Sequence, residues 1–244
     1  MFKNLIIFAC CLFTFQVVAQ NKNSRLLESI QQELTWNTSK DSLLVHIKTM
    51  NKMTDEKPNP YINYWNSYAK YLLFFRYNLK NEEEKKIAEQ TLEEAVKLIE
   101  KIPNKTSDHY ALLSLLGGLQ LNFTSMLMVP FRAANVEKNA KKAIELNPNN
   151  MRAYLAYAIY DYYTPKMYGG MKVTEENLKK ALSLSDKIDN NPFGPDWGRL
   201  DAYLYLIRFY RSEQKIVEAK KYLEEGLNLF PKNVVLQKIK ATLK

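Results

Sequence analysis

The chain has 244 residues, 46% of them hydrophobic and 25% charged, ordinary proportions for a globular protein with enough length to bury a core. The formal charge is +9, but lysines alternate with glutamates, as in Glu82-Glu83-Glu84-Lys85-Lys86, and no run of five like charges occurs, which argues against nucleic-acid binding. Only 7 glycines stand against 16 tyrosines and 11 phenylalanines, with no sustained polar–apolar alternation and no Asn-Gly or Asp-Gly turn, so a strand-rich fold is excluded.

Residues 1–19 read as a signal peptide. Met1-Phe2-Lys3-Asn4 is short and positive, and Leu5 to Val18 is an apolar run too short to span a bilayer comfortably. Val17 and Ala19 put small residues at the −3 and −1 positions, so cleavage is expected after Ala19, with an uncleaved anchor as the other reading. Both cysteines, Cys10 and Cys11, lie inside this segment. The mature chain would then have no disulfide, no thiol nucleophile and no thiolate metal site. It is expected to be exported to the periplasm or cell envelope of a bacterium, with no membrane span after cleavage.

Residues 20–60 are expected to form N-terminal helices, either a cap or an atypical repeat. Leu26, Leu27, Ile30 and Leu34 mark one amphipathic helix, and Asn37-Thr38-Ser39 is a break and N-cap cluster. Leu43, Leu44, Ile47 and Met50 continue a second helix to about Met53, followed by a loop from Thr54 to Pro60.

Residues 61–244 read as a repeat domain. Trp65, Tyr68, Ala69, Leu72, Ala88, Leu92 and Ala95, shifted by 48, land on Leu113, Leu116, Gly117, Gln120, Val136, Ala140 and Ala143. The wide gap between the stripes predicts an extended first helix in both copies, through Tyr77 and through Met128. A third hairpin starts at Tyr154, with Tyr157, Ala158 and Asp161, and continues with Thr174, Leu178 and Ala181 beyond the loop Thr164–Gly170. The fourth is the clearest. Tyr203, Leu206, Ile207 and Tyr210 share one helical face, Ala219, Leu223 and Gly226 form a second stripe, and Pro231 stops it. Val235, Leu236, Ile239 and Leu243 close the chain as a helix with a lysine-rich outer face.

The spacing Tyr203-x-x-Leu206-Ile207-x-x-Tyr210, Ala219-x-x-x-Leu223-x-x-Gly226, Pro231 resembles the tetratricopeptide repeat (TPR), a helix–turn–helix unit of about 34 residues. The resemblance covers Tyr61 to Lys244 and implies an all-α, TPR-like α-solenoid of about four helix-hairpin repeats, with N-terminal helices and a C-terminal capping helix. The Pro165–Gly170 loop and Trp197-Gly198 resemble features of bacterial envelope TPR proteins, among them those associated with TRAP-type transporters.

No enzyme signature is present: no Gly-x-Ser-x-Gly, no phosphate loop, no His-Glu-x-x-His. No metal, cofactor or catalytic residue is expected. His46 and His109 read as surface or boundary histidines, and Asp161, Asp196 and Asp201 as helix caps or turn binders. Gly169-Gly170 reads as a cap and tight turn, Trp197 as a plug between repeats, and Met126–Val129 as buried under the next helix rather than as a binding lip. In TPR arrays the first helices line a concave face. By register that face would present Asn63, Asn66, Lys70, Phe74, Asn122, Arg152, Tyr162, Tyr163, Arg208 and Arg211. Asn, Tyr and Arg together suit an acidic protein or peptide partner. The expected function is therefore a partner-binding scaffold without catalysis. The alternative is a small-ligand-binding or transporter-accessory protein with a pocket enclosed between long helices.

Overall fold

The computed structural model describes residues 23–56, 60–188 and 190–243. The expected signal peptide lies outside them. Among the described residues all regular structure is helical: α1 (23–33), α2 (Lys40–Glu56), α3 (Pro60–Phe74), α4 (Glu82–Glu100), α5 (Ser107–Gln120), α6 (Val129–Leu146), α7 (Met151–Tyr163), α8 (Thr174–Ser183), α9 (Arg199–Ser212), α10 (Ile216–Leu229) and α11 (Val234–Thr242). The chain divides into two compact units, Met1–Leu98 with Asn191–Phe193, and Ile99–Asn190 with Gly194–Lys244.

In the N-terminal unit the expected stripes are buried except at Leu26 and Leu44, which are exposed. Leu27, Ile30 and Leu34 of the first helical segment, Leu43, Ile47 and Met50 of α2, and Trp65, Tyr68 and Leu72 of α3 all lie in its core, as do Ala88, Leu92 and Ala95 of α4. Ser67 Oγ donates to the Ala95 carbonyl at 2.7 Å, and Trp65 Nε1 donates to the Phe193 carbonyl at 2.9 Å, so these two donors of α3 are satisfied within this core.

The C-terminal unit is a solenoid-like succession of helix hairpins. α5 pairs with α6, α7 with α8 and α9 with α10, while α5 packs on α7, α7 on α9, and α11 covers α10. Short connections make α5 and α6, and α6 and α7, antiparallel, so α5 and α7 run in the same direction. Leu155, Ala158, Leu178, Ala181, Leu206, Ile207, Ala219, Leu223 and Leu236 belong to one continuous core cluster.

The 48-residue offset is reproduced as a packing pattern. Of its fourteen positions, twelve are buried, and Gly117 and Gln120 are half-buried. The extended first helices are not reproduced. α3 ends at Phe74 and is followed by a turn, and α5 ends at Gln120, where a single 3₁₀ turn, Leu121–Phe123, precedes the non-helical connection. Side chains in both connections take up backbone groups that a continuing helix would use. Thr124 Oγ1 donates to the Gln120 carbonyl at 2.9 Å and Asn122 Nδ2 to the Leu119 carbonyl at 2.8 Å. In the earlier connection Asn78 Oδ1 accepts from the Lys80 N–H, and Asn81 Oδ1 from the Glu84 N–H, which starts α4. Asn and Thr favour such local bonds over helix continuation.

In the fourth hairpin the small positions lie at a close approach. A Cβ on Gly226 would stand 3.4 Å from Tyr203 Cγ on α9 and 3.4 Å from Leu236 Cδ1 on α11. A larger side chain has no room without moving one of these helices. We expect Gly226→Leu to overpack the contact and lower stability by about 1–3 kcal/mol. Thermal unfolding checks this, and an unchanged midpoint would place Gly226 away from the packed face.

Candidate functional site

The first helices of the C-terminal unit are fixed at their N-terminal ends by a buried polar network. Thr106, Ser107 and Asn150 stand where α5 and α7 begin. Asn150 Oδ1 accepts from the Arg152 N–H at 3.0 Å, capping α7. Its amide nitrogen donates to Ser107 Oγ and to Asp108 Oδ1, both at 2.8 Å, and Ser107 Oγ donates to the Ala143 carbonyl of α6 at 2.7 Å. Asp108 Oδ1 also accepts from Arg152 Nε at 2.6 Å. Arg152 Nη1 donates to the carbonyls of Asp186, at 2.6 Å, and Trp197, at 3.2 Å. The guanidinium thus joins α5, α7 and the segment leading to α9.

Arg152 is 0% exposed. It is therefore a buried cross-link, where the register reading expected a groove-facing side chain. The pattern places a polar residue outside by default, and its carboxylate partner lies 44 residues earlier in the chain. Trp197 is partly buried against the core cluster, as a plug would be.

His109 departs from the boundary position expected of it. It is buried, and its Nδ1 accepts a hydrogen bond from the Thr106 N–H at 2.9 Å. It thus fills the N3 position of a capping box, normally held by Glu or Gln. Burial chiefly, with the Lys105 charge adding to it and Asp108 opposing, pushes the imidazole down to about 4. The neutral ring is also the form that this bond requires.

The loop after α7 is built by Asp161. Its Oδ2 accepts from the Val173 N–H at 2.9 Å and from Thr174 Oγ1 at 2.6 Å, and its carbonyl accepts from the Met171 N–H at 2.9 Å. Gly169 has φ +91° and ends the short 3₁₀ turn Lys166–Tyr168. A Cβ on Gly170 would fall 1.8 Å from the Thr164 carbonyl oxygen, so only glycine fits there. Asp161 and the glycine pair therefore form a turn, as expected. Asp201 is buried in the first turn of α9, and Asp196 is exposed.

The ten residues expected on the groove separate sharply. Asn66, Lys70 and Phe74 are buried in the N-terminal unit, and Asn63 is half-buried there. Asn66 Nδ2 donates to Asn51 Oδ1 at 2.6 Å, and the Lys70 ammonium pairs with Glu94. The face of α3 next to its packing stripe is thus covered, with Asn66 and Lys70 bonded inside the unit while the Asn63 and Asn66 Oδ1 atoms find no partner. Asn122 is exposed and bonded to its own helix end.

Of the remaining four, on α7 and α9, Tyr162, Tyr163 and Arg208 come together around Tyr205, and Arg211 lies three residues further along α9. Tyr162 is half-buried, while Tyr163, Arg208 and Arg211 are exposed. Tyr162 and Tyr163 stand edge-on to one another with ring centroids 5.1 Å apart, and both stand edge-on to Tyr205, at 5.8 and 6.1 Å. The Arg208 guanidinium lies 5.2 Å from the Tyr205 ring centroid. Burial, reinforced by the neighbouring Tyr163, pushes the Tyr205 phenol above its usual range. Tyr205, the hub of this cluster, is absent from the register reading. Its spacing to Arg208, i and i+3 on one face, is the signal that identifies it.

Among the described residues no group of three or more His, Cys, Asp or Glu side chains is placed to hold a metal ion, and no helix is long and apolar enough to cross a membrane. No protein-family model and no curated protein matches the sequence. Several solved structures share the fold. One is the HusA haemophore from Porphyromonas gingivalis, 19% identical with a TM-score of 0.59, covering 78% of this chain and 93% of that one. Another is a thermophilic TPR protein from Thermus thermophilus, 18% identical with a TM-score of 0.58, covering 83% of this chain and 91% of that one.

Proposed function

We propose that this chain is an exported TPR-like scaffold that binds an acidic segment of a partner protein through its C-terminal unit and performs no chemistry. The observation that carries the reading is the cluster of Tyr162, Tyr163 and Tyr205 with Arg208 against the Tyr205 ring, on the helix that also carries exposed Arg211. Edge-on tyrosines hold one another in place and offer apolar surface at little entropic cost, while arginine can grip a carboxylate with two parallel hydrogen bonds. Aromatic and arginine side chains dominate binding hot spots. Arg208 and Arg211 lie three residues apart and project from one face of α9.

The test is the dissociation constant for a partner captured from envelope extract. Charge reversal of Arg208 and Arg211 to Glu is expected to weaken binding by about 2 kcal/mol or more. Reversal of the exposed Lys220 and Lys221 on α10 is expected to change it little. Equal losses from both pairs would mean diffuse electrostatics instead of a site.

A second reading is a flat aromatic ligand such as haem. It is supported by the exposed ring of Tyr163 packed on Tyr205, which Arg208 faces, and by the haemophore's likeness in fold. The enclosed pocket between long helices loses its basis, because those helices end at Phe74 and Gln120. Haem titration separates the two readings: a Soret shift abolished by Tyr163→Ala would favour the ligand over the peptide.

A further inference from the structure

The connections at one edge of the C-terminal unit carry large apolar side chains that nothing in the unit covers. Between α5 and α6, Met126 is 90% and Leu127 85% exposed, and Phe131 on the first turn of α6 is 71% exposed. The expected burial of this segment under the following helix does not occur. Between α7 and α8, Met167 is 82% and Tyr168 75% exposed.

The two connections share an edge. α5 and α7 run parallel, and their first turns are joined by the bonds of Asn150 and Arg152 to Ser107 and Asp108. They have 14 and 13 residues. Both therefore end about 20 Å further on at the same side. Lys166 pairs with Glu213 at 2.7 Å, which brings the turn between α9 and α10 to this edge as well.

Within the two connections and the first turn of α6 the charged side chains are all cationic. From Leu121 to Asn135 the one charged residue is Arg132, and from Tyr162 to Val173 the charged residues are Lys166 and Lys172. All three are exposed. Of the carboxylates on flanking helices, Glu213 pairs with Lys166, Glu137 with Lys141 and Glu175 with Lys179, while Glu176 in the first turn of α8 and Glu218 on α10 are exposed.

We propose that this edge docks the protein peripherally on an anionic lipid surface. Met126, Leu127, Phe131 and Met167 would enter the boundary between headgroups and acyl chains, and Arg132 and Lys172 would lie against lipid phosphates. Apolar burial combined with cation–headgroup attraction is the known basis of such adsorption. A lipid surface suits the pattern better than a second protein. The apolar residues form separate tips along an edge instead of one continuous face. Several are unbranched and adaptable, and the accompanying charges within the two connections are all cationic.

The experiment is co-sedimentation with vesicles of phosphatidylglycerol and phosphatidylcholine, and of phosphatidylcholine alone, at one ionic strength, with all proteins in the same processed form. The wild-type chain is expected to bind the anionic vesicles at least tenfold better than the neutral ones. L127N/F131N is expected to lose tenfold or more on the anionic vesicles. R132E/K172E is expected to lose the preference for anionic lipid. These side chains are exposed, and circular dichroism with thermal unfolding verifies that each variant is folded. Wild-type binding no better than that of L127N/F131N would assign adsorption to the diffuse net charge and overturn the proposal. So would absence of wild-type binding to either vesicle. A wild-type dimer in ultracentrifugation that L127N/F131N abolishes would also overturn it, by assigning the edge to self-association. None of these readouts depends on the Arg208–Arg211 site.

Discussion

Replacing Asp108 with alanine is expected to destabilise the C-terminal unit by about 3–5 kcal/mol, because it strands a buried guanidinium. Arg152 is fully buried and cannot shed its charge. Its Nη2 already has no partner, so the charge is held by one carboxylate oxygen and two backbone carbonyls. Loss of the carboxylate also removes an acceptor from Asn150, which caps α7. Asp108→Asn retains an oxygen acceptor and should cost less. Asp108→Leu combined with Arg152→Met should cost less than Asp108→Ala alone, since exchanging both members of a buried pair leaves no orphan charge. Denaturant unfolding of the four proteins provides the check. If Asp108→Ala shifts stability by under about 1 kcal/mol, the pair is not the link between α5 and α7 that its geometry implies.

Acidification should produce the second large effect, through His109. The imidazole has an ordinary value of 6.5 and is pushed down to about 4 in the fold. Between these values the unfolded chain binds a proton that the folded chain refuses. Stability is therefore fully present above pH 6.5 and is lost as the pH falls towards 4, by on the order of 3 kcal/mol in total. Roughly 2 kcal/mol of this should be gone at pH 5. Protonation would also replace the acceptor at Nδ1 by a donor facing the Thr106 N–H. His109→Gln keeps an acceptor at the N3 position of the capping box and carries no titrating group. Its unfolding midpoint should change far less between pH 7 and pH 5 than that of the wild-type chain. Parallel slopes for the two proteins would show that His109 is not the acid-sensitive group.

What the sequence determined by itself is the arrangement of apolar stripes, and with it the helices and their pairing. Burial of Tyr203, Leu206, Ile207 and Tyr210 against Ala219, Leu223 and Gly226 follows from spacing alone, because helical periodicity puts those side chains on facing surfaces. The 48-residue repeat is equally visible, since the two stripes recur at one offset with small residues kept at Ala69 and Gly117 and at Ala95 and Ala143.

Only the tertiary structure decided which polar residues lie inside and which apolar ones lie outside. Periodicity ranks a side chain by its own polarity, whereas burial depends on what the rest of the chain brings to meet it. Arg152 is interior because Asp108 and two carbonyls distant in sequence converge on it. Lys70 and Asn66 are interior because Glu94 and Asn51 reach them. Conversely, Met126 and Leu127 are as apolar as any core residue but sit in a connection that no other element crosses. The ends of α3 and α5 were likewise decided by short Asn and Thr bonds to the backbone, which compete with helix hydrogen bonds on nearly equal terms. The tyrosine–arginine cluster combines both limits. Spacing supplied Tyr162, Tyr163, Arg208 and Arg211 singly, and the packing of α7 against α9 brought the tyrosines and Arg208 together around Tyr205.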